Sequence, residues 1–374
     1  MRGRIIAGSC GLAVSAGWNI TNVGAVADSE AAAYGVALAV VGLFTTTLFV
    51  GHLLSQVPSG RAVDALGARR VGLAALIEIA ACNTVLLASP SPALALGIRG
   101  LMGLGTGAVF VAGSDYARTS RTPLAQGIFG GASIAGSGLA VALMPALEHW
   151  LGWRAPYWTA LVLAAAAVPI LAIAPSDSDR PPRETHPEHI LSDRRLYRLG
   201  AMHGATFGLS VIAGNWIVTL LTRTSGLSDR AAGLVGTFVL LGGLVTRPLG
   251  GVVMLRRPEI TRTVVVASIA AGAIGTAVLA VLASPSAGVA LLAALVAGAA
   301  AGMPFVPVFT AAQRLRPDAP GAAVGLVNGA AVLVILVGTP LLGLTFSLPG
   351  DGRIGFAVLA ALWACALLLV PREF

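Results

Sequence analysis

The sequence contains no lysine: all 24 basic residues are arginine. A P-loop needs a lysine to reach nucleotide phosphates, and Schiff-base chemistry needs a lysine amine. By itself the chain is therefore neither a P-loop pump nor a retinal protein, and any active transport has to draw on a solute or ion gradient unless a partner supplies the energy. Charge of either sign is scarce, at 11% of 374 residues against about 25% in soluble domains. The three cysteines, Cys10, Cys82 and Cys365, fall in apolar runs without metal-ligand spacing and read as small buried hydrophobes. His-Glu-x-x-His, a Ser/His/Asp constellation and paired carboxylates in a shared span are all missing. No enzyme, metal site or cofactor is expected.

What the chain does contain is hydrocarbon. Apolar residues make up 56%, and there are 47 glycines besides. So few charges cannot cover that much apolar surface in a soluble fold, so the composition is that of a polytopic membrane protein embedded in a lipid bilayer. The formal charge of +8 is then a topology signal and not a nucleic-acid footprint.

A crossing helix needs about 20 mostly apolar residues. Twelve stretches qualify: 4–26, 33–57, 71–88, 93–114, 124–147, 157–174, 199–221, 231–254, 263–283, 287–311, 321–346 and 354–370. Ser89-Pro90-Ser91-Pro92 and Ser284-Pro285-Ser286 mark tight turns between runs. The first stretch is too long and too interrupted by Trp18, Asn19 and Asn22 for a signal peptide, and is expected to be a retained helix. With the N-terminus inside, eighteen arginines fall on the inner side and four in outer loops, while Arg99 and Arg247 lie within spans. That bias places both termini in the cytoplasm.

Residues 175–198 form the longest polar stretch and read as a cytoplasmic linker between two six-helix bundles, 1–174 and 199–374. The halves echo one another at offsets between 190 and 198 residues. Pro58 is matched by Pro248, Gly103, Gly107 and Phe110 by Gly298, Gly302 and Phe305, and Gly127 and Gly131 by Gly325 and Gly329. Trp18-Asn19 of the first helix has its counterpart in Asn215-Trp216 of the seventh. Duplicated bundles that rock about a midplane site are a recurring plan of secondary transporters.

The loop Gly60-Arg61-Ala62-Val63-Asp64-Ala65-Leu66-Gly67-Ala68-Arg69-Arg70 resembles the G-x-x-x-D-x-x-G-x-R-[RK] signature of the major facilitator superfamily. The resemblance implies an all-α fold of twelve transmembrane helices in two pseudo-symmetric bundles. It also implies an inner-gate role for Gly60, Asp64, Gly67, Arg69 and Arg70, with Asp64 near the N-terminus of the eleventh helix. The second copy of the loop has Met254 where the aspartate would stand. Arg99-Gly100-Leu101-Met102-Gly103 partly resembles the fourth-helix pattern of the superfamily, with Met102 in place of glutamine. Residues 136–145 and Arg247-Pro248-Leu249-Gly250-Gly251 resemble the nitrate/nitrite porter branch, whose eighth-helix arginine contacts the anion. That branch has a second arginine before Val-Pro in the second helix, and here Gln56 stands there.

Charge inside hydrocarbon is costly, so each case is a functional candidate. Arg99, about 9 Å from the outer end of its helix, is read either as a substrate contact or as a structural hub. Arg247 is read as an anion contact or a snorkelling cation. Glu78 is the candidate for coupling. Trp18, Asn19, Asn22, Gln56, Asn215 and Trp216 complete the expected substrate-binding set, since amides and indoles offer donors, acceptors and apolar faces. The expected function is secondary transport of a small polar or anionic solute by alternating access, coupled to protons or to exchange. The alternatives are efflux of hydrophobic compounds and a transporter-like receptor without flux. A monomer in the cell membrane is the expected unit.

Overall fold

The computed structural model describes residues 2–175, 188–282 and 284–374, so residues 176–187 of the expected linker lie outside the described residues. The first helices are α1 (Arg2–Thr21), α2 (Ala27–Tyr34), α3 (Leu38–Leu66) and α4 (Ala68–Leu86). They are followed by α5 (Pro92–Arg118), α6 (Pro123–Leu151), α7 (Ala155–Ala172) and the short α8 (Glu188–Ser192). Next come α9 (Arg194–His203), a π-helical turn at Gly204–Gly208, α10 (Leu209–Ser225), α11 (Asp229–Arg256) and α12 (Thr261–Val281). The chain ends with α13 (Ala287–Gly302), α14 (Phe305–Leu315), α15 (Pro320–Leu344) and α16 (Arg353–Cys365). Counting α9–α10 and α13–α14 as single crossings, twelve passes are found among the described residues, with α2 and α8 between passes.

The sequence sets the helix starts by local means. Ser91 accepts a hydrogen bond from the Leu94 amide at 3.5 Å with Pro92 opening α5, and Ser286 accepts from Val289 at 3.4 Å to open α13. A serine cap supplies an acceptor for an amide the helix cannot satisfy, and proline at the first position loses no helical bond. Gly67 joins α3 to α4 in one residue at φ 89°, a conformation that costs a residue with Cβ.

The chain forms two compact units, Met1–Ser192 with Gln313–Gly329, and Asp193–Ala312 with Ala330–Phe374. In the first unit α3 packs along α5, and α4 packs on α5 and α7. In the second unit α11 packs along α13, and α12 packs on α13 and α16. The same small residues make both central crossings possible. A Cβ on Gly103 would lie 2.8 Å from the His52 nitrogen, and one on Gly298 would lie 2.8 Å from the Val239 oxygen. The duplicated glycines therefore allow the same backbone approach twice.

Helix ends differ from the hydropathy spans. The second pass was expected at 33–57, but α3 runs from Leu38 to Leu66 and carries Asp64 on its last turn. The tenth, expected unbroken at 287–311, is interrupted at Met303-Pro304. Pro304 has no N–H to continue the α13 ladder, and its carbonyl accepts from the Val308 amide at 3.0 Å as α14 starts.

Candidate functional site

Arg247 lies on α11 and is 2% exposed. Its guanidinium carbon sits 4.7 Å from the Phe207 ring centroid and 4.3 Å from that of Phe305. Phe207 belongs to the π-helical turn, and Phe305 is the first residue of α14 after the proline break. His203 stacks on Phe207 with centroids 5.4 Å apart and meets Phe309 edge-on at 4.9 Å. Two interruptions of regular helix thus deliver aromatic faces to one buried cation. A guanidinium is weakly hydrated and planar, so aromatic rings can flank its faces by cation–π contact, and it is a residue type suited to recognising an anion. The Phe207 and Phe305 partners had no signal in periodicity. The π turn and Pro304, which bring them together, are the features that would have pointed there.

Arg99 has a different setting. It is fully buried, and its Nε donates to the Phe44 carbonyl at 3.4 Å and Nη2 to the Asn19 carbonyl at 3.1 Å. Nη1 reaches the Met102 sulfur at 3.6 Å. The side chain ties α1, α3 and α5 together. Around it the polar residues of α1 are matched within the first unit. Asn19 accepts from the Asn83 amide at 3.2 Å, Asn22 donates to the Pro156 carbonyl at 2.9 Å, and Trp18 Nε1 donates to Thr159 at 3.0 Å. In the second unit Trp216 Nε1 donates to the Thr339 carbonyl at 2.8 Å, while exposed Asn215 makes a 3.5 Å contact to the Thr339 hydroxyl.

The loop signature sits at a helix start. Asp64 accepts from the Gly321 amide at 2.8 Å with one carboxylate oxygen and from the Ala322 amide at 2.9 Å with the other. These are the first-turn amides of α15, where the helix dipole favours an anion. Gly60 permits the approach, because a Cβ there would fall 2.5 Å from the Ala322 Cα. Arg69 donates to the Leu171 carbonyl at 3.1 Å and to that of Ala172, fastening α4 to the end of α7, while Arg70 is exposed. About two turns along α15, Asn328 donates to the Gln56 amide oxygen at 3.0 Å, and the Gln56 amide nitrogen reaches the His52 carbonyl at 3.2 Å. Both ends of the Gln56 amide are thus engaged.

Glu78 is half-buried on α4, where Cys82 donates to it at 3.1 Å and its other oxygen presses against Gly105 of α5. A second carboxylate is buried more deeply. Glu30, on α2 between the first two passes, is 0% exposed and accepts from the Tyr157 hydroxyl at 2.9 Å. The Tyr157 and Tyr34 hydroxyl oxygens are 3.0 Å apart. Burial pushes the Glu30 carboxyl up to about 7, the Tyr157 hydrogen bond and Arg99 pulling the other way. Sequence reasoning missed it because Glu30 falls between hydropathy spans and its partner Tyr157 is 127 residues distant.

The sequence profile of the Major Facilitator Superfamily matches residues 7–339. Among similar proteins, a probable nitrate/nitrite transporter, NarK2, of Mycobacterium tuberculosis is 26% identical over 280 residues, covering 69% of this chain and 67% of the relative. A gentisate transporter of Corynebacterium glutamicum is 26% identical over 382 residues, covering 95% of this chain and 84% of the relative. Among solved structures, the E. coli fucose:proton symporter FucP superposes with a TM-score of 0.77 at 12% identity, covering 98% of this chain and 97% of that one. That similarity establishes the twelve-helix fold.

Proposed function

The chain belongs to the Major Facilitator Superfamily, and from that premise we propose that it carries a small anion by alternating access, holding the anion at Arg247. Membership makes it a secondary transporter, integral to the cell membrane, rather than an enzyme. The observation behind the anion is the buried Arg247 guanidinium between Phe207 and Phe305. Both relatives are named for anions, nitrate or nitrite in one case and gentisate in the other.

The surroundings favour one kind of anion. Two arginines clamp a small oxyanion by charge-assisted bonds, but here the second place is held by Gln56, whose amide is spent on His52 and Asn328. A site with one arginine and aromatic walls suits an anion that brings its own apolar body, such as an aromatic carboxylate, better than nitrate. Trp18, Asn19, Asn22, Asn215 and Trp216 are assigned to lining and shaping the path, and Arg99 to holding α1, α3 and α5 in register. Protons or exchange drive the cycle, Asp64 and its loop form the inner gate, and the monomer is the working unit.

Counterflow in proteoliposomes tests this with gentisate, benzoate, nitrate, nitrite and the lipophilic cation tetraphenylphosphonium. Saturable exchange of the carboxylates, exceeding that of nitrate, is expected. Tetraphenylphosphonium flux without anion flux would establish efflux of hydrophobic cations instead, and binding without any flux would establish a receptor.

A further inference from the structure

The helix α2 does not cross the membrane, yet it carries a carboxylate that is completely hidden. Glu30 Oε2 receives the Tyr157 hydroxyl, whereas Oε1 is buried and makes no hydrogen bond. Among the described residues no cation lies within ion-pair distance of Glu30. A carboxylate taken from water without a cation and with one dry oxygen is strongly disfavoured relative to the neutral acid. A protonated carboxyl meets a much smaller penalty. Tyr34 continues the chain of hydroxyls, and Trp153 packs edge-on against both tyrosines, at 5.8 Å from Tyr34 and 6.2 Å from Tyr157.

The charged neighbours come from several elements. Arg99 on α5 attracts the ionised form, and Glu148 on α6 repels it. α7 offers the neutral Tyr157 hydroxyl. The turn Gly152–Arg154 offers Arg154, whose guanidinium lies 4.4 Å over the Trp153 ring and donates to the Leu87 carbonyl. The outer half of α3 has no titratable side chain before His52, nor has the turn at Gly24–Val26, and on α2 itself Asp28 is exposed. Arg99 is the cation that feels Glu30, and it also holds the Asn19 and Phe44 carbonyls.

We propose that Glu30 is the proton-binding site that couples transport to the proton gradient. The carboxyl carries its proton at the end of the chain Tyr34–Tyr157–Glu30, and in the coupled cycle it takes the proton from one side of the membrane and gives it up to the other. The ionised form pulls on Arg99 and the protonated form does not, so proton occupancy alters the hold of Arg99 on α1 and α3. The coupling role rests on the transport reading above, and the proton site itself does not.

Infrared difference titration of the full chain in lipid nanodiscs, without any substrate, reads the protonated-carboxyl stretch. A band present in wild type and missing from E30Q, fading as pH rises through about 7, is expected. Y157F, which loses the donor that steadies the ionised form, should shift the midpoint upward. Wild-type and E30Q titrations that coincide, or a Y157F midpoint that stays put or falls, would overturn the proposal. In proteoliposomes, E30Q is expected to retain gentisate counterflow and to lose accumulation driven by a pH gradient. Accumulation preserved in E30Q would refute the coupling. Silence of wild type with every anion would overturn the anion reading alone, since the infrared band needs no flux and would still establish the proton site.

Discussion

Two arginines inside the hydrocarbon have opposite environments, and the difference decides what each substitution does. Arg99 spends its donors on the Phe44 and Asn19 carbonyls, so Arg99→Ala removes a tie among three helices. Hydrogen bonds from a charged group contribute about 2–3 kcal/mol, and a lowered thermal transition in detergent is the expected result. Arg247 contacts ring faces, and Arg247→Met keeps much of its volume and its apolar contact with those rings, so the variant is expected to remain folded. Glu30 adds a pH signature. Its folded-state carboxyl binds a proton up to about 7, above its ordinary value of 4.5. The stability it contributes is therefore complete below the ordinary value and is lost as pH rises through about 7. The thermal transition of wild type should fall across that window, and E30Q should flatten this part of the profile. The depth of Arg99 and Arg247 was legible, because charge in an apolar run stands out. Their partners were not. The Asn19 carbonyl lies 80 residues from Arg99, and a backbone acceptor carries no sequence signature.

Elements meet here through small residues and caps. The crossing of α3 with α5 depends on Gly103, and that of α11 with α13 on Gly298. Leucine at either position must displace backbone and should lower the thermal transition sharply, whereas Gly97→Ala and Gly233→Ala meet open space and should not. The start of α15 depends on a side chain from another helix. Asp64→Ala leaves the Gly321 and Ala322 amides without their acceptor, at a cost of about 1–2 kcal/mol. Asp64→Asn, which retains one acceptor oxygen, should cost about half of that in the same thermal measurement. Hydropathy located the passes well and their ends poorly. It marks where the chain meets hydrocarbon, but α3 continues past that limit to Leu66 to present Asp64, and a single proline splits the tenth pass.

At the scale of the molecule, composition and repetition made the architecture readable. Sparse charge requires a bilayer, and sequence echoes such as Gly103 with Gly298 correspond to equivalent crossings in the two units. The substrate was not readable in the same way. The proposed anion site draws one arginine and two rings from α11, α14 and a π turn, and no local spacing encodes that gathering. Nor does any local pattern separate the buried Glu30 from the exposed Asp28 two residues before it. The decisive measurement is gentisate counterflow in proteoliposomes, comparing wild type with Arg247→Met after both are shown to be folded. Saturable exchange in wild type and a loss of at least about a hundredfold in the variant, equivalent to about 3 kcal/mol, is the predicted result. Exchange that survives in Arg247→Met at a comparable rate would contradict an anion site built on this residue.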